Sequence, residues 1–168
     1  PDYIGVIGGS AGGHLAVMLG VTGPEDGLDP AGPYGEFPCS VQAVVNLYGV
    51  TDWFQRKDLP MFGQTRASAP ELYLQATPMT HVDPNDPPIL IIHGSADKVV
   101  ELAQSEKLVA ALQQAGVEHE FVVVEGAPHS FYLQVYVPTK VDLRPRVLDF
   151  FDRHMKKTPG AVAQPPEP

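Results

Sequence analysis

Cysteine is almost missing from this chain: the 168 residues contain one, Cys39. A single cysteine excludes an internal disulfide framework and any multi-cysteine zinc site. Cys39 itself is read as a small buried or half-buried hydrophobe. Basic residues are also scarce, with 11 Lys and Arg against 20 Asp and Glu, for a net charge of −9. No basic stripe is left to grip a phosphate backbone, so nucleic acid is not an expected partner. Acidity of this size favours solubility. No apolar run reaches the roughly 18 residues of a membrane span, and no signal-peptide pattern is visible. The compartment stays open between cytoplasmic and secreted or periplasmic. No internal repeat is present.

Apolar residues, at 43%, suffice for one domain with a real core. Short β-branched runs read as strands at 3–7 ("YIGVI"), 41–48 ("VQAVVNLY"), 88–93 ("PILIIH") and 119–125 ("HEFVVVE"). Helices are expected at 11–20, at about 101–115 and from Pro145 onward. Leu102, Leu108, Val109 and Leu112 mark the apolar side of the second, and Gly116 suits the position just past its end. Pro145 is a good opening residue for the last, whose apolar positions are Val147, Leu148, Phe151 and Met155. Residues 21–40 are a Pro/Gly loop, and 50–80 an irregular excursion with short helical turns. The tail 158–168, "TPGAVAQPPEP", is expected to be disordered. Strands alternating with helices predict an α/β fold with a mostly parallel sheet. Ligands of such sheets bind beyond the carboxyl ends of the strands.

The stretch "GVIGGSAGGHLA", residues 5–16, places Ser10 just there, between Gly8, Gly9, Gly12 and Gly13. It fits G-x-S-x-G, a sharp strand-to-helix turn that presents a serine. Such a turn needs neighbours without side chains. It sets the serine at a helix N-terminus, where free N–H groups favour a developing anion. The N–H of Ala11 is the expected oxyanion donor. A glycine-rich dinucleotide loop is the competing reading. It lacks a following basic residue and an acidic residue at the end of the next strand.

A serine nucleophile needs a base, and the base an orienting carboxylate. Of the six histidines, His14 lies on the helix after Ser10 and reads as structural. His81 falls in the irregular region, and His93 ends a strand and is expected to make loop hydrogen bonds. His119 opens a strand at the wrong pole, and His154 sits late in the last helix as an exposed or C-terminal residue. His129, in "EGAPHSF", follows a strand in a loop free to reach Ser10. Asp97, in "HGSADKVV", follows a strand as well. Asp52 is its rival, but "YGVTDW" reads as a turn with a helix cap. Asp83 and Asp86 precede a strand and belong at the opposite pole. The order Ser10, Asp97, His129 is that of α/β-hydrolases.

"GVIGGSAGGHLA", "DPPILIIHGSADKVV" and "VVVEGAPHSF" resemble the nucleophile, acid and histidine segments of α/β-hydrolase fold serine esterases. The likeness is to bacterial esterases and lipases related to feruloyl and acetyl-xylan esterases, and it covers most of residues 2–154. It implies a serine hydrolase that cleaves carboxylic esters, including acyl esters of plant polysaccharides, with no cofactor and no metal. Trp53 and Phe62 are candidates for lining the substrate pocket, with plain packing as the alternative. Arylformamidase or peptidase activity on the same triad is a second reading. A catalytically inactive binding module with this fold is a third. The resemblance also implies missing parts: family members carry several strands and an "HGGG"-like segment ahead of the elbow, and no "HGGG" occurs here. Residues 1–157 are therefore expected to be the C-terminal portion of a single α/β-hydrolase domain with N-terminal strands absent, and 52–80 a small cap or insertion. The loss of one oxyanion donor costs roughly 10²–10³ in rate. The 168-residue chain alone is accordingly expected to be inactive or nearly so; robust ester turnover by the pure chain overturns this expectation.

Overall fold

Four apolar runs pair side by side as parallel strands. The computed structural model describes residues 3–28, 35, 37, 39–135 and 140–155. Strands β1 (Gly5–Gly9), β2 (Ala43–Leu47), β3 (Ile89–Gly94) and β4 (His119–Val124) lie in the order β1-β2-β3-β4. Three helices flank this sheet: α1 (Ala11–Val21), α3 (Ala103–Ala115) and α4 (Arg144–Met155). A short helix α2 (Pro70–Gln75) falls in the irregular excursion, between 3-10 turns at Pro60–Phe62 and Pro78–Thr80. Among the described residues no helix is long and apolar enough to cross a membrane.

The period of two along the strands sorts side chains into two cores. Val44, Ile89 and Ile91 pack with Ala16, Val17 and Val21 of α1 and with Leu108 and Leu112 of α3. Ala43, Val45, Leu47, Leu90 and Ile92 pack on the other face with Val147 and Phe150 of α4. A third cluster, Val50, Trp53, Tyr73 and Val100, underlies the excursion. Gly116 does close α3 in the left-handed region, at φ 76°.

The register positions the site. Gly9 pairs with Leu47, Leu47 with Ile92, and Gly94 with Val124. The carboxyl ends of the strands thus share one rim, and the residues that follow β1, β3 and β4 emerge together. The segment Asp83–Asp86 precedes β3 and lies at the other pole, beside the end of α1 and Gln42.

Several expectations need correction. The first strand is not buried throughout: Tyr3, Ile4 and Ile7 are exposed, because β1 pairs only with β2 among the described residues. Cys39 is exposed rather than buried. On α4, Leu148 points to solvent at 64% exposure while Phe150 is fully buried. The apolar stripe runs through Val147, Phe150, Phe151 and Met155, and Leu148 lies off it. A two-stranded antiparallel ribbon, β5 (Gln134–Val135) with β6 (Val141–Asp142), was not anticipated; strands of two residues carry no readable period. The tail 158–168 lies outside the described residues.

The stripe on α4 makes a direct prediction. Phe150→Ala loses about 3–5 kcal/mol of stability, while Leu148→Ala stays within about 0.5 kcal/mol of wild type. Urea denaturation followed by circular dichroism checks both, and equal effects contradict the assignment.

Candidate active site

Ser10 sits where the β1 ladder hands over to a helix. Its N–H donates to Leu47 O at 2.9 Å, and its carbonyl accepts the first intrahelical bond, from His14 N–H at 3.0 Å. Its backbone lies at φ 54°, ψ −118°, a region that costs a non-glycine residue roughly 1–3 kcal/mol. A serine at a helix N-cap usually bonds its own helix. Here the hydroxyl makes no such bond and is left for another partner. The turn is tight because a Cβ on Gly8 would run into the Gly12 carbonyl, and one on Gly13 would stand 2.5 Å from Asn46 Oδ1. Gly12 is different: a Cβ there would meet nothing within 4 Å, so crowding does not require glycine at that position.

Asp97 lies in the turn after β3 and is buried. Its Oδ1 accepts the N–H groups of Val99 (2.8 Å) and Val100 (2.9 Å). Its Oδ2 accepts the Nδ1–H of His129 at 2.6 Å. Burial acts to raise the Asp97 pKa, but the hydrogen bonds from His129, Val100 and Val99 outweigh it and hold the group below the usual carboxylate range. An ionised carboxylate only accepts, so the proton of a neutral His129 sits on Nδ1. Nε2 is then free to accept the Ser10 hydroxyl, 2.9 Å away. The three residues singled out in the sequence are thus joined in one hydrogen-bonded chain. Ala11, the first residue of α1, is exposed beside Ser10. Its N–H belongs to the helix end that lacks intrahelical acceptors.

The loop that carries His129 is fastened on two sides. Ala96 N–H donates to Ala127 O at 3.1 Å, and Gly126 N–H to Ser95 Oγ at 2.7 Å, which ties it to the Asp97 turn. Tyr48, just after β2, donates its hydroxyl to Phe131 O at 2.8 Å. Its ring meets His129 edge-on, with centroids 5.0 Å apart. Burial, then the nearby Asp97 charge, pushes the Tyr48 phenol up. The sequence reading missed Tyr48, and an aromatic at a strand end gave no local signal. The non-glycine residues found at positive φ are Ser10, Tyr48 and Ser130, and all belong to this site.

The remaining candidates lie elsewhere. His81 pairs with Asp26 at 2.7 Å, and His119 Nδ1–H donates to Val117 O at 2.8 Å. His154 is not the exposed residue expected: its side chain is 12% exposed and its ring lies 4.7 Å from that of Phe150. His93 is fully buried beside Asp97. Asp52 caps its own turn through Gln55 N–H and pairs with Lys107 at 2.9 Å. Trp53 is buried, with Phe62 edge-on at 5.7 Å and its indole N–H 3.2 Å from His14 Nδ1. Phe62 also lies against Tyr73, at 4.5 Å. The surroundings of both rings are those of a packing cluster. Among the described residues, no group of three or more His, Cys, Asp or Glu is arranged to hold a metal ion.

Residues 1–112 match the family model BD-FAE. The chain is 34% identical over 125 residues to a probable carboxylic ester hydrolase, LipM, of Mycobacterium tuberculosis, covering 68% of this chain and 28% of LipM. It is 29% identical over 178 residues to esterase LipQ of the same organism, covering 97% of this chain and 42% of LipQ. The chain therefore spans less than half the length of these curated relatives. Among solved structures, a truncated form of a carbohydrate esterase from gut microbiota superposes with a TM-score of 0.80 at 29% identity, covering 92% of this chain and 60% of that one. The fold is that of the α/β-hydrolases, with a parallel sheet flanked by helices.

The lowered Asp97 pKa fixes the sign of a pH effect. The unfolded chain binds the Asp97 proton more readily than the folded one, so this group's contribution is present above about pH 4 and fades as pH falls through the lower folded value. Asp97→Asn is expected to lower stability at neutral pH and to flatten the acid arm of a stability–pH curve. Asp26, Glu120 and Asp142, also held low, add to that slope, while Asp86, which burial pushes up to about 6, opposes it between about pH 4 and 6. Urea denaturation between pH 3 and 7 measures this; an unchanged acid arm contradicts it.

Proposed function

The chain belongs to the BD-FAE family of α/β-hydrolase serine esterases, and on that premise we propose that it cleaves carboxylic esters through an acyl-enzyme. Ser10 Oγ attacks the ester carbonyl while His129 Nε2 takes its proton. The Ala11 N–H, at the positive end of α1, donates to the oxyanion. Collapse of the tetrahedral intermediate expels the alcohol, which receives the proton from His129. Asp97 holds the imidazole in the Nδ1–H form and stabilises its cation. Water, deprotonated by His129, then attacks the acyl-Ser10 ester, and the acid leaves.

The observation that carries this reading is the chain of contacts Ser10 Oγ–His129 Nε2 and His129 Nδ1–Asp97 Oδ2, at 2.9 and 2.6 Å. Geometry of this kind lets one proton shuttle between nucleophile and leaving group. The substrate is read as a small ester, with acyl groups on plant polysaccharide included. The likeness to a carbohydrate esterase supports the latter. Residues 1–157 are read as part of one hydrolase domain, with 52–80 as its small cap or insertion. Trp53 and Phe62 reach substrate in this reading only where their cluster opens to the site.

A fluorophosphonate probe is expected to label the intact protein at Ser10, and Ser10→Ala to abolish labelling. Ester turnover should fall on the order of 10⁶-fold in Ser10→Ala and about 10⁴-fold in Asp97→Asn. An aryl ester and the matching anilide, assayed side by side, separate esterase from amidase action. An intact wild-type protein that takes up no label contradicts the proposal and favours a binding module.

A further inference from the structure

His93 is a buried titratable side chain beside Asp97 that the triad does not use. It is the penultimate residue of β3 and has no solvent exposure. Its Nε2 lies 2.8 Å from Val100 O and 3.3 Å from Asp97 Oδ2. Its Nδ1 lies 2.7 Å from Ser105 Oγ, on α3, and Ser105 is fully buried too. We propose that His93 is a positioning residue for the acid: a neutral imidazole in its Nε2–H form, anchored at Nδ1 by Ser105, whose N–H is shared between Val100 O and the Asp97 oxygen that also accepts from His129.

The donor and acceptor inventory decides the tautomer. A carbonyl and an ionised carboxylate only accept, so Nε2 must carry a proton. A second proton on Nδ1 would create a cation cut off from water, and burial accordingly pushes the His93 pKa down. Nδ1 is left as an acceptor, and the Ser105 hydroxyl is its donor. The titratable groups that face His93 are Asp97 directly and His129 across it; α3 presents the neutral Ser105, and the turn presents the Val100 carbonyl.

With His93 included, every lone-pair direction of Asp97 has a donor. Oδ1 takes two backbone N–H groups, and Oδ2 takes the His129 N–H and, at 3.3 Å, a share of the His93 N–H whose shorter bond goes to Val100 O. The carboxylate cannot rotate without breaking two of them. The longer bond from His93 also draws on the charge of Oδ2, which tempers its pull on the His129 proton. Loss of the donor has two effects that a mere packing role lacks. The acid keeps three of its four donors but is held less firmly at Oδ2, which lowers kcat and leaves KM alone. Its oxygen becomes more basic, which strengthens its hold on the His129 Nδ1 proton.

The experiment compares His93→Leu, His93→Gln and Ser105→Ala in the intact protein. Leucine fills space without a donor, whereas the glutamine amide returns an N–H near Nε2. In His93→Leu, kcat for an aryl ester is expected to fall roughly ten-fold at constant KM. The acid limb of its pH profile is expected to move up by about half a unit. His93→Gln should recover most of both. Nitrogen-15 spectra of the wild type should show His93 as neutral Nε2–H throughout pH 5–8. Ser105→Ala, which removes the donor to Nδ1, should shift the Nδ1 resonance while leaving the Nε2–H tautomer in place. The kinetic part rests on the esterase reading, so the low-field Nδ1 proton of His129 supplies a readout that needs no turnover. Its shift in His93→Leu and return in His93→Gln support the proposal even in a protein that hydrolyses no ester. An unmoved low-field proton, a His93 that titrates between pH 5 and 8, or equal kinetics in the Leu and Gln variants overturns it. If His93→Leu does not fold, the wild-type tautomer and the Ser105→Ala spectrum decide.

Discussion

The alignment of four parallel strands at their carboxyl ends is the constraint on which the rest depends. Ser10 and His129 are 119 positions apart and His129 and Asp97 32 apart, yet each follows a strand that stops at the same rim. A slip of β3 by one residue would turn Ile91 and Ile92 to the wrong faces and carry Asp97 away from His129. The two apolar cores forbid such a slip. Site geometry is therefore enforced by the packing of Val44, Ile89 and Ile91 on one face and of Val45, Leu90 and Ile92 on the other.

Within that frame, fine placement comes from strain and from polar satisfaction. Ser10, Tyr48 and Ser130 adopt left-handed backbone that side chains normally avoid. Each sits where a chain must turn sharply just beyond a strand or beside His129. The neighbouring glycines admit the turn at Ser10, and the Tyr48 hydroxyl holds the histidine loop down through Phe131 O. Asp97 needs no such strain. Hydrogen bonds from the turn it begins surround it, and they keep it ionised despite burial.

Much of this was legible in the sequence because the informative features are local. The β-branched runs, the glycines around Ser10 and the placement of Asp97 and His129 after strands each fall within a few residues. The α/β class and the three residues that now stand together followed from them. What escaped notice depends on distant parts of the chain. Tyr48 acquires its place only when β2 lies beside the histidine loop, and His93 meets Ser105 only after α3 has docked. Leu148 and Phe150 are equally apolar, and only the direction of α4 against the sheet decides which is buried. Cys39 is small and apolar enough for a core, but it is exposed. Gly12 looked as necessary as its neighbours, although nothing lies close enough to exclude a side chain.

The long sequence separation within the site has a consequence for folding kinetics. β1 pairs with β2, β2 with β3, and β3 with β4, each across a long intervening segment. Parallel sheets of this kind close large loops before their contacts stabilise them, and they form slowly. The Ser10–His129 contact spans more of the chain than any of those strand pairs. It therefore closes a longer loop than any of them, and a chain trapped midway holds Ser10 without His129 beside it. Formation of the Ser10–His129 contact is thus a report on completed folding.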